Sequence, residues 1–356
     1  MKIPLHVQLR RQSNNLLNKL LSSFTQHKSN TPFIDKESVK TILIIRPNYR
    51  IGNLIFLTPL LNTLHKEIPN AKIDIIVGMK LAGDILQELP NVEKVISIPR
   101  ELLKQPLQMY KFIKETREKK YDVALNIMAA STSSQLVTSL TNAEYKASYY
   151  NEKSWAKLTH TTPFTHLYKH IGLESLELVR LFNIEPPTQN LKFDIRLKEA
   201  EITEAKKDLA ELLKKNSISK EQKIIALFRN ARFDKRIPDE WWQEWFEALD
   251  VKHNQITVVD ILSPDIPKKL NEQVLEYSNK NLRLLGAFFH ECDLFVSADT
   301  GPMHLAVASQ TKVLALFNKT NISAYGALGA GNKTIDINNL SAQEVAKITK
   351  DFLHSL

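Results

Sequence analysis

Ser297-Ala298-Asp299-Thr300-Gly301-Pro302-Met303-His304-Leu305-Ala306 is the stretch from which the fold is read. Ahead of it, Cys292-Asp293-Leu294-Phe295-Val296 has the apolar density of a short buried strand. Behind it, Leu305-Ala306-Val307-Ala308 continues as a helix packed on that strand. Asp299 and Thr300 are N-cap residue types, Gly301 admits a tight turn, and Pro302 suits the start of a helix, where no N–H is needed. A strand, a sharp loop and a helix start therefore follow one another. Free N–H groups and the helix dipole both favour negative charge there, so the turn suits phosphate. A plain capped strand-to-helix turn has the same residue types, and these ten residues do not separate the two readings.

Working outward, the rest of the chain alternates in the same way. Thr41-Ile42-Leu43-Ile44-Ile45 is a continuous apolar run of the kind a parallel sheet buries on both faces. It enters the loop Arg46-Pro47-Asn48-Tyr49-Arg50-Ile51-Gly52-Asn53, then a helix carrying Leu54, Leu57, Leu60, Leu61 and Leu64. A strand over 73–77, a helix over 81–88, a strand over 92–98, a helix over 103–119 and a strand over 121–127 are expected next. A second series begins with Ile224-Ile225-Ala226-Leu227-Phe228 and continues with strands over 255–260, 282–285, 293–298 and 312–317. Between its first two strands lie the basic loop Arg229–Arg236 and a helix whose Trp241, Trp242 and Trp245 read as core. Two doubly wound α/β domains follow from this alternation. Gly52 and Gly301 each stand where a strand turns into a helix, one per domain, which is where open α/β sheets bind ligands.

The domain reading is a basic amphipathic segment over 1–34, a first Rossmann-like domain over 38–185 and an interdomain region over 186–222. A second Rossmann-like domain over 223–340 and a last helix over 341–356 complete it. The last helix is opened by the capping box Ser341-Ala342-Gln343-Glu344. Residues 1–34 hold no Asp or Glu but carry Lys2, Arg10, Arg11, Lys19 and Lys28, with leucines near helical spacing. Such a segment docks on an anionic membrane, packs on the protein body, or mimics a transit peptide.

At 356 residues the chain is long enough for two cores, and 43% hydrophobic with 24% charged residues is ordinary for a globular protein. No run approaches the roughly 18 apolar residues of a membrane span. The lone Cys292 excludes an internal disulfide and a Cys-based zinc site. A net charge of +9 points to anionic partners, but no nucleic-acid-binding motif accompanies it. No G-x-G-x-x-G follows a strand and no phosphate-loop motif occurs, so nicotinamide binding and P-loop hydrolysis lack their anchors. Gly326-Ala327-Leu328-Gly329-Ala330-Gly331 has the wrong spacing for either and reads as a turn near a nucleotide. His166 and His170 stand at i,i+4, but no third metal ligand is near, and structural or solvent-facing roles are the better reading.

Asp299–Ala306 resembles the donor-site signature of the heptosyltransferase-type glycosyltransferases, glycosyltransferase family 9. The resemblance extends to Ile42–Pro59, similar to the family's opening strand and acceptor-side loop. It also takes in Phe228–Trp242 and Asn318–Gly329, the latter similar to the turn after the last nucleotide-site strand. It implies a GT-B fold, with two Rossmann-like domains facing across a cleft. The implied reaction is inverting transfer of heptose from ADP-heptose onto the lipopolysaccharide core, at the cytoplasmic face of the membrane. No cofactor or ligated metal is implied.

By the same resemblance, Thr300, Gly301, His304, Arg232 and Lys235 bind the donor, with Lys235 on its phosphates and Asp299 orienting the sugar or its loop. Gly52 lies in the acceptor-side loop, and Arg46 and Arg50, which flank it, are either solvated charges on a surface turn or contacts to carboxylate or phosphate groups of an anionic glycolipid acceptor. The family has an aspartate base directly after the first loop's glycine, and here Asn53 stands in that place. An amide does not take a proton at neutral pH, so another group, with Asp84, Asp122 and His65 as candidates, or an already ionised acceptor would replace it. The alternatives are the same fold using another nucleotide sugar or acceptor, and a catalytically silent homologue that binds glycan or nucleotide sugar.

Overall fold

The computed structural model describes residues 33–98, 106–154, 156–219 and 221–356. The expected amphipathic segment over 1–34 thus lies almost wholly outside the described residues. Among these, twelve parallel strands form two sheets of six.

The first sheet contains β1 (Thr41–Arg46), β2 (Lys72–Val77), β3 (Val92–Ser97), β4 (Tyr121–Asn126), β5 (Ala143–Tyr149) and β6 (His160–Thr162). Its order is β3-β2-β1-β4-β5-β6, so the chain reverses direction between β1 and β4. Ile42, Leu43, Ile44 and Ile45 are fully buried, as expected of a strand covered on both faces. The connecting helices are α1 (Ile51–Ile55), α2 (Thr58–Glu67), α3 (Ala82–Leu86), α4 (Pro106–Glu118) and α5 (Thr132–Leu140). β5 and β6 lie in sequence that shows no strand pattern, because their burial is mixed and β6 is only three residues long.

After a 3₁₀ stretch at Ile171–Phe182 comes α6 (Glu199–Lys215), then β7 (Lys223–Phe228), α7 (Asp239–Leu249), β8 (Ile256–Ile261) and β9 (Leu275–Tyr277). The chain continues through α8 (Leu282–His290), β10 (Leu294–Ala298), α9 (Gly301–Ala308), β11 (Val313–Phe317), α10 (Ile322–Tyr325), β12 (Lys333–Asp336) and α11 (Ala342–His354). The second sheet runs β12-β11-β10-β7-β8-β9, the same winding as the first, with its reversal between β7 and β10. Trp242 and Trp245 are fully buried beside Val345 and Leu353, so α7 and α11 share one core. Truncating either tryptophan would cost about 3–5 kcal/mol.

The strand expected over 282–285 is instead the first turn of α8. The Asn281 side chain accepts from the amides of Arg283 and Leu284, a helix cap that sets this stretch helical despite its apolar density. His166 and His170 share no helix either: the segment between them is irregular, and His166 has a left-handed backbone. The capping box at Ser341 is present, with Glu344 accepting from the Ser341 amide and returning the bond.

The chain divides into two compact units. One holds the residues up to Tyr49 together with Leu60–Leu167 and Glu174–Thr188; the other holds Arg50–Pro59, Tyr168–Leu173 and Gln189–Leu356. Residues 50–59 and 168–173, within the span 38–185, thus group with the second sheet. So does most of 186–222, where α6 packs on α8. Among the described residues no helix is long and apolar enough to cross a membrane.

Candidate functional site

Ligand sites of such sheets lie beyond the carboxyl ends of the strands where the winding reverses. In the second unit that place is the pair of loops leaving β7 and β10. β10 is entirely buried and ends at Ala298. Asp299 follows, 7% exposed, and Thr300 is the N-cap of α9 with extended backbone and no side-chain capping bond. Pro302 occupies the first turn, as its missing N–H permits. From Met303 on, α9 is buried on every side, so its first turn is its accessible end.

The loop from β7 brings a lysine to the same spot. Phe233–Lys235 forms one 3₁₀ turn, and Lys235 Nζ lies 2.7 Å from Asp299 Oδ2. An ammonium has three donors, so this bond aims Lys235 and leaves two for a ligand. Arg232 is exposed one turn earlier. Arg229, at the head of this basic loop, has a structural task. It is 2% exposed, its Nε donates to Asp260 (2.9 Å), and its terminal nitrogens donate to Asp239 (2.8 Å) and the Lys268 carbonyl (2.7 Å). This clamp fixes where the Lys235 loop begins.

Helix α1 packs against the same end of α9. A Cβ on Gly301 would stand 3.1 Å from Ile51 Cβ, and one on Gly52 would stand 2.9 Å from His304 Cδ2. Two glycines thus let two helix starts approach, and partly exposed Asn53 follows Gly52 in α1. Arg50 is the N-cap of α1 and is exposed.

His304 is 4% exposed, and its Nδ1 is buried without a hydrogen-bond partner. Burial, with a smaller push from His170, holds its imidazole neutral, with a pKa of about 3. Its ring lies edge-on to Phe56 at 4.8 Å and near Phe193 and His170, so it supports the turn from beneath.

Arg46, the last residue of β1, belongs to the first unit. Burial pushes its guanidinium down to about 10, with Glu174 opposing the shift, and its Nε is buried without a partner. Glu174 is itself pushed up by burial, and its carbonyl accepts from the Tyr149 hydroxyl. Of the alternative bases, Asp122 accepts from the Lys40 and Thr41 amides at 2.8 Å each, at the amino end of β1 and so at the far edge from Arg46. His65 Nδ1 donates to Asn91 Oδ1 at 2.8 Å, just ahead of β3, again at the amino edge. Asp84 lies in the first turn of α3. Among the described residues no group of three or more His, Cys, Asp or Glu stands ready for a metal ion.

Sequence reasoning missed the ring cluster of Phe56, His170, Phe193 and His304. Its members come from four separated segments, and no local pattern marks them.

Known proteins agree with this architecture. A family model, glycosyltransferase family 9 (heptosyltransferase), matches residues 109–354. Lipopolysaccharide heptosyltransferase 3 of Escherichia coli is 24% identical over an alignment of 296 residues that covers 76% of this chain and 81% of that protein. Among solved structures, a glycosyl transferase family 9 protein from Veillonella parvula DSM 2008 superposes with a TM-score of 0.76 at 16% identity, over 92% of this chain and all of that one. The E. coli heptosyltransferase WaaC with ADP superposes with a TM-score of 0.70 at 18% identity, over 88% of this chain and 99% of its own. The fold is α/β of the GT-B class, as the resemblance implied.

Proposed function

The chain belongs to glycosyltransferase family 9, and from that premise we propose that it moves heptose, or a related sugar, from an ADP-sugar to a lipopolysaccharide core acceptor with inversion. That it is a glycosyltransferase follows from the family; donor, acceptor and stereochemistry are the proposal. The observation that carries it is the Lys235–Asp299 pair, spanning the winding reversal beside the open first turn of α9.

In this reading the diphosphate lies on the amides of Thr300 and Gly301, the Thr300 hydroxyl and the Lys235 ammonium. The acceptor oxygen attacks the anomeric carbon, the bond from that carbon to the phosphate oxygen breaks, and ADP leaves with the electron pair. Charge grows on the diphosphate as this happens, and donors already aimed there stabilise it with little reorganisation. Asp299 orients Lys235, Arg232 adds positive charge, and His304 supports the turn. These groups perform the task without a resident metal. Arg46 and Arg50 hold anionic groups of the acceptor, and Gly52 lets Asn53 approach the donor turn. Asn53 positions the acceptor hydroxyl by hydrogen bonding, and the proton leaves to another carboxylate or to water.

The experiment is incubation of the purified protein with ADP-heptose and a truncated core acceptor. Heptosylated product of inverted configuration supports the reading, and donor binding without turnover would favour a silent sugar-nucleotide-binding homologue. Asn53 is the residue that speaks for that second reading. The acceptor is a glycolipid, so contact with the inner face of the cytoplasmic membrane belongs to the proposal. Removing residues 1–34 is expected to weaken binding to anionic liposomes, and unchanged binding would retire that part.

A further inference from the structure

His170 belongs neither to the donor signature nor to the acceptor-side loop, yet it meets three parts of the second unit. Gly172 N–H donates to its Nδ1 at 3.0 Å, which places the ring proton on Nε2. Nε2 in turn donates to the Gly326 carbonyl at 2.9 Å. The imidazole is 7% exposed and stands edge-on to Phe56 (5.7 Å) and Phe193 (5.4 Å).

Each contact leads to the candidate site. Phe56 immediately follows α1 and packs on His304 of α9. Gly326 is the C-cap of α10, in the connection that leaves the carboxyl end of β11, the strand beside β10. Gly326 is buried, and its amide is engaged by the Ile322 carbonyl at 2.7 Å. Its own carbonyl thus depends on His170, and a buried acceptor left without a donor is unfavourable enough to move a short turn.

We propose that His170 is a positioning residue of the donor site: its Nε2–H holds the Gly326 turn in place as the wall for the donor's nucleoside. This rests on the donor reading above. It assigns to a residue remote in sequence the register between the turn after β11 and the phosphate turn after β10.

The test measures ADP binding by calorimetry for the wild type, His170→Phe and His170→Gln. Phenylalanine keeps the ring contacts but loses both hydrogen bonds, and glutamine keeps an amide N–H able to reach Gly326. The expected result is about tenfold weaker ADP binding for His170→Phe and recovery to within about threefold for His170→Gln. A generic packing defect would not restore affinity with the loss of an aromatic ring. Should His170→Phe fail to fold, His170→Asn replaces it, since its shorter amide serves Gly172 but does not reach Gly326. Wild-type affinity in His170→Phe, or equal loss in both variants, overturns the inference and leaves the donor reading standing. Wild-type protein that binds neither ADP nor ADP-heptose overturns the donor reading first, and this inference with it.

Discussion

Lys235 Nζ and Asp299 Oδ2 are 2.7 Å apart although 64 residues separate them, because the loops after β7 and β10 open side by side where the second sheet reverses its winding. Asp299 is nearly buried and Lys235 keeps partial exposure, so the carboxylate is the fixed partner and the ammonium the presented one. Lys235→Ala is expected to lower kcat/KM for ADP-heptose by about 10²–10³-fold, the range for removing one preorganised donor from developing charge. Asp299→Asn keeps the shape but weakens the charge-assisted bond, and a smaller loss of about tenfold is expected. Steady-state kinetics of both variants checks this, and a Lys235→Ala enzyme within a few fold of wild type would remove the lysine from the donor site.

Gly52 is the second constraint. An added methyl would lie 2.9 Å from the His304 ring, which is buried and packs edge-on against Phe56. Gly52→Ala therefore separates α1 from α9, and an overpacking cost of about 1–3 kcal/mol is expected in urea unfolding. Activity should fall further than stability, because the displaced element carries Asn53. A variant with wild-type stability and turnover would show that the two helix starts do not depend on this contact.

Much of this arrangement is legible in the residues. The buried run Ile42–Ile45 and the strand, turn and proline-started helix around Asp299 are local features, each with its own chemical signal. The stretch 282–290 shows the limit of apolar density, which does not distinguish a buried strand from a buried helix unless the Asn281 cap is weighed. Arg229 shows another limit: the sequence marks it only as part of a basic loop, whereas in the fold two carboxylates and a carbonyl consume its donors. The grouping of residues 50–59 and 168–173 with the second sheet depends on contacts such as Phe56–His304 and His170–Gly326. Sequence spacing holds no trace of these.

Stability should respond to pH through His304. The imidazole is held to a folded pKa of about 3 against 6.5 when free, so between these values the unfolded chain binds a proton that the folded chain refuses. Stability is then full above about pH 6.5 and falls as the pH drops toward 3. His170, lowered by burial in the same sense, adds to the slope. From pH 7.5 to pH 5 the His304 contribution is about 2 kcal/mol. His304→Phe should flatten the profile, because its unpartnered Nδ1 has no hydrogen bond to lose. Urea midpoints of wild type and variant measured across this range decide it, and parallel profiles would show that the ring is not held neutral.

Asn53 tests the acceptor side. An amide at the start of α1 can orient a hydroxyl but cannot take its proton, whereas a carboxylate of nearly the same shape does both. Asn53→Ala is expected to lower kcat about tenfold through lost orientation. Asn53→Asp should retain or raise it, since a positioned general base contributes about 10²–10⁴-fold where one is lacking. ADP affinity should change little in either variant, because the donor groups Thr300, Gly301 and Lys235 are untouched. The decisive measurement is kcat with donor saturating, beside ADP binding on the same preparations. An alanine variant as fast as wild type would mean that the acceptor hydroxyl does not meet α1, and Arg46 would then become the residue from which to trace the acceptor.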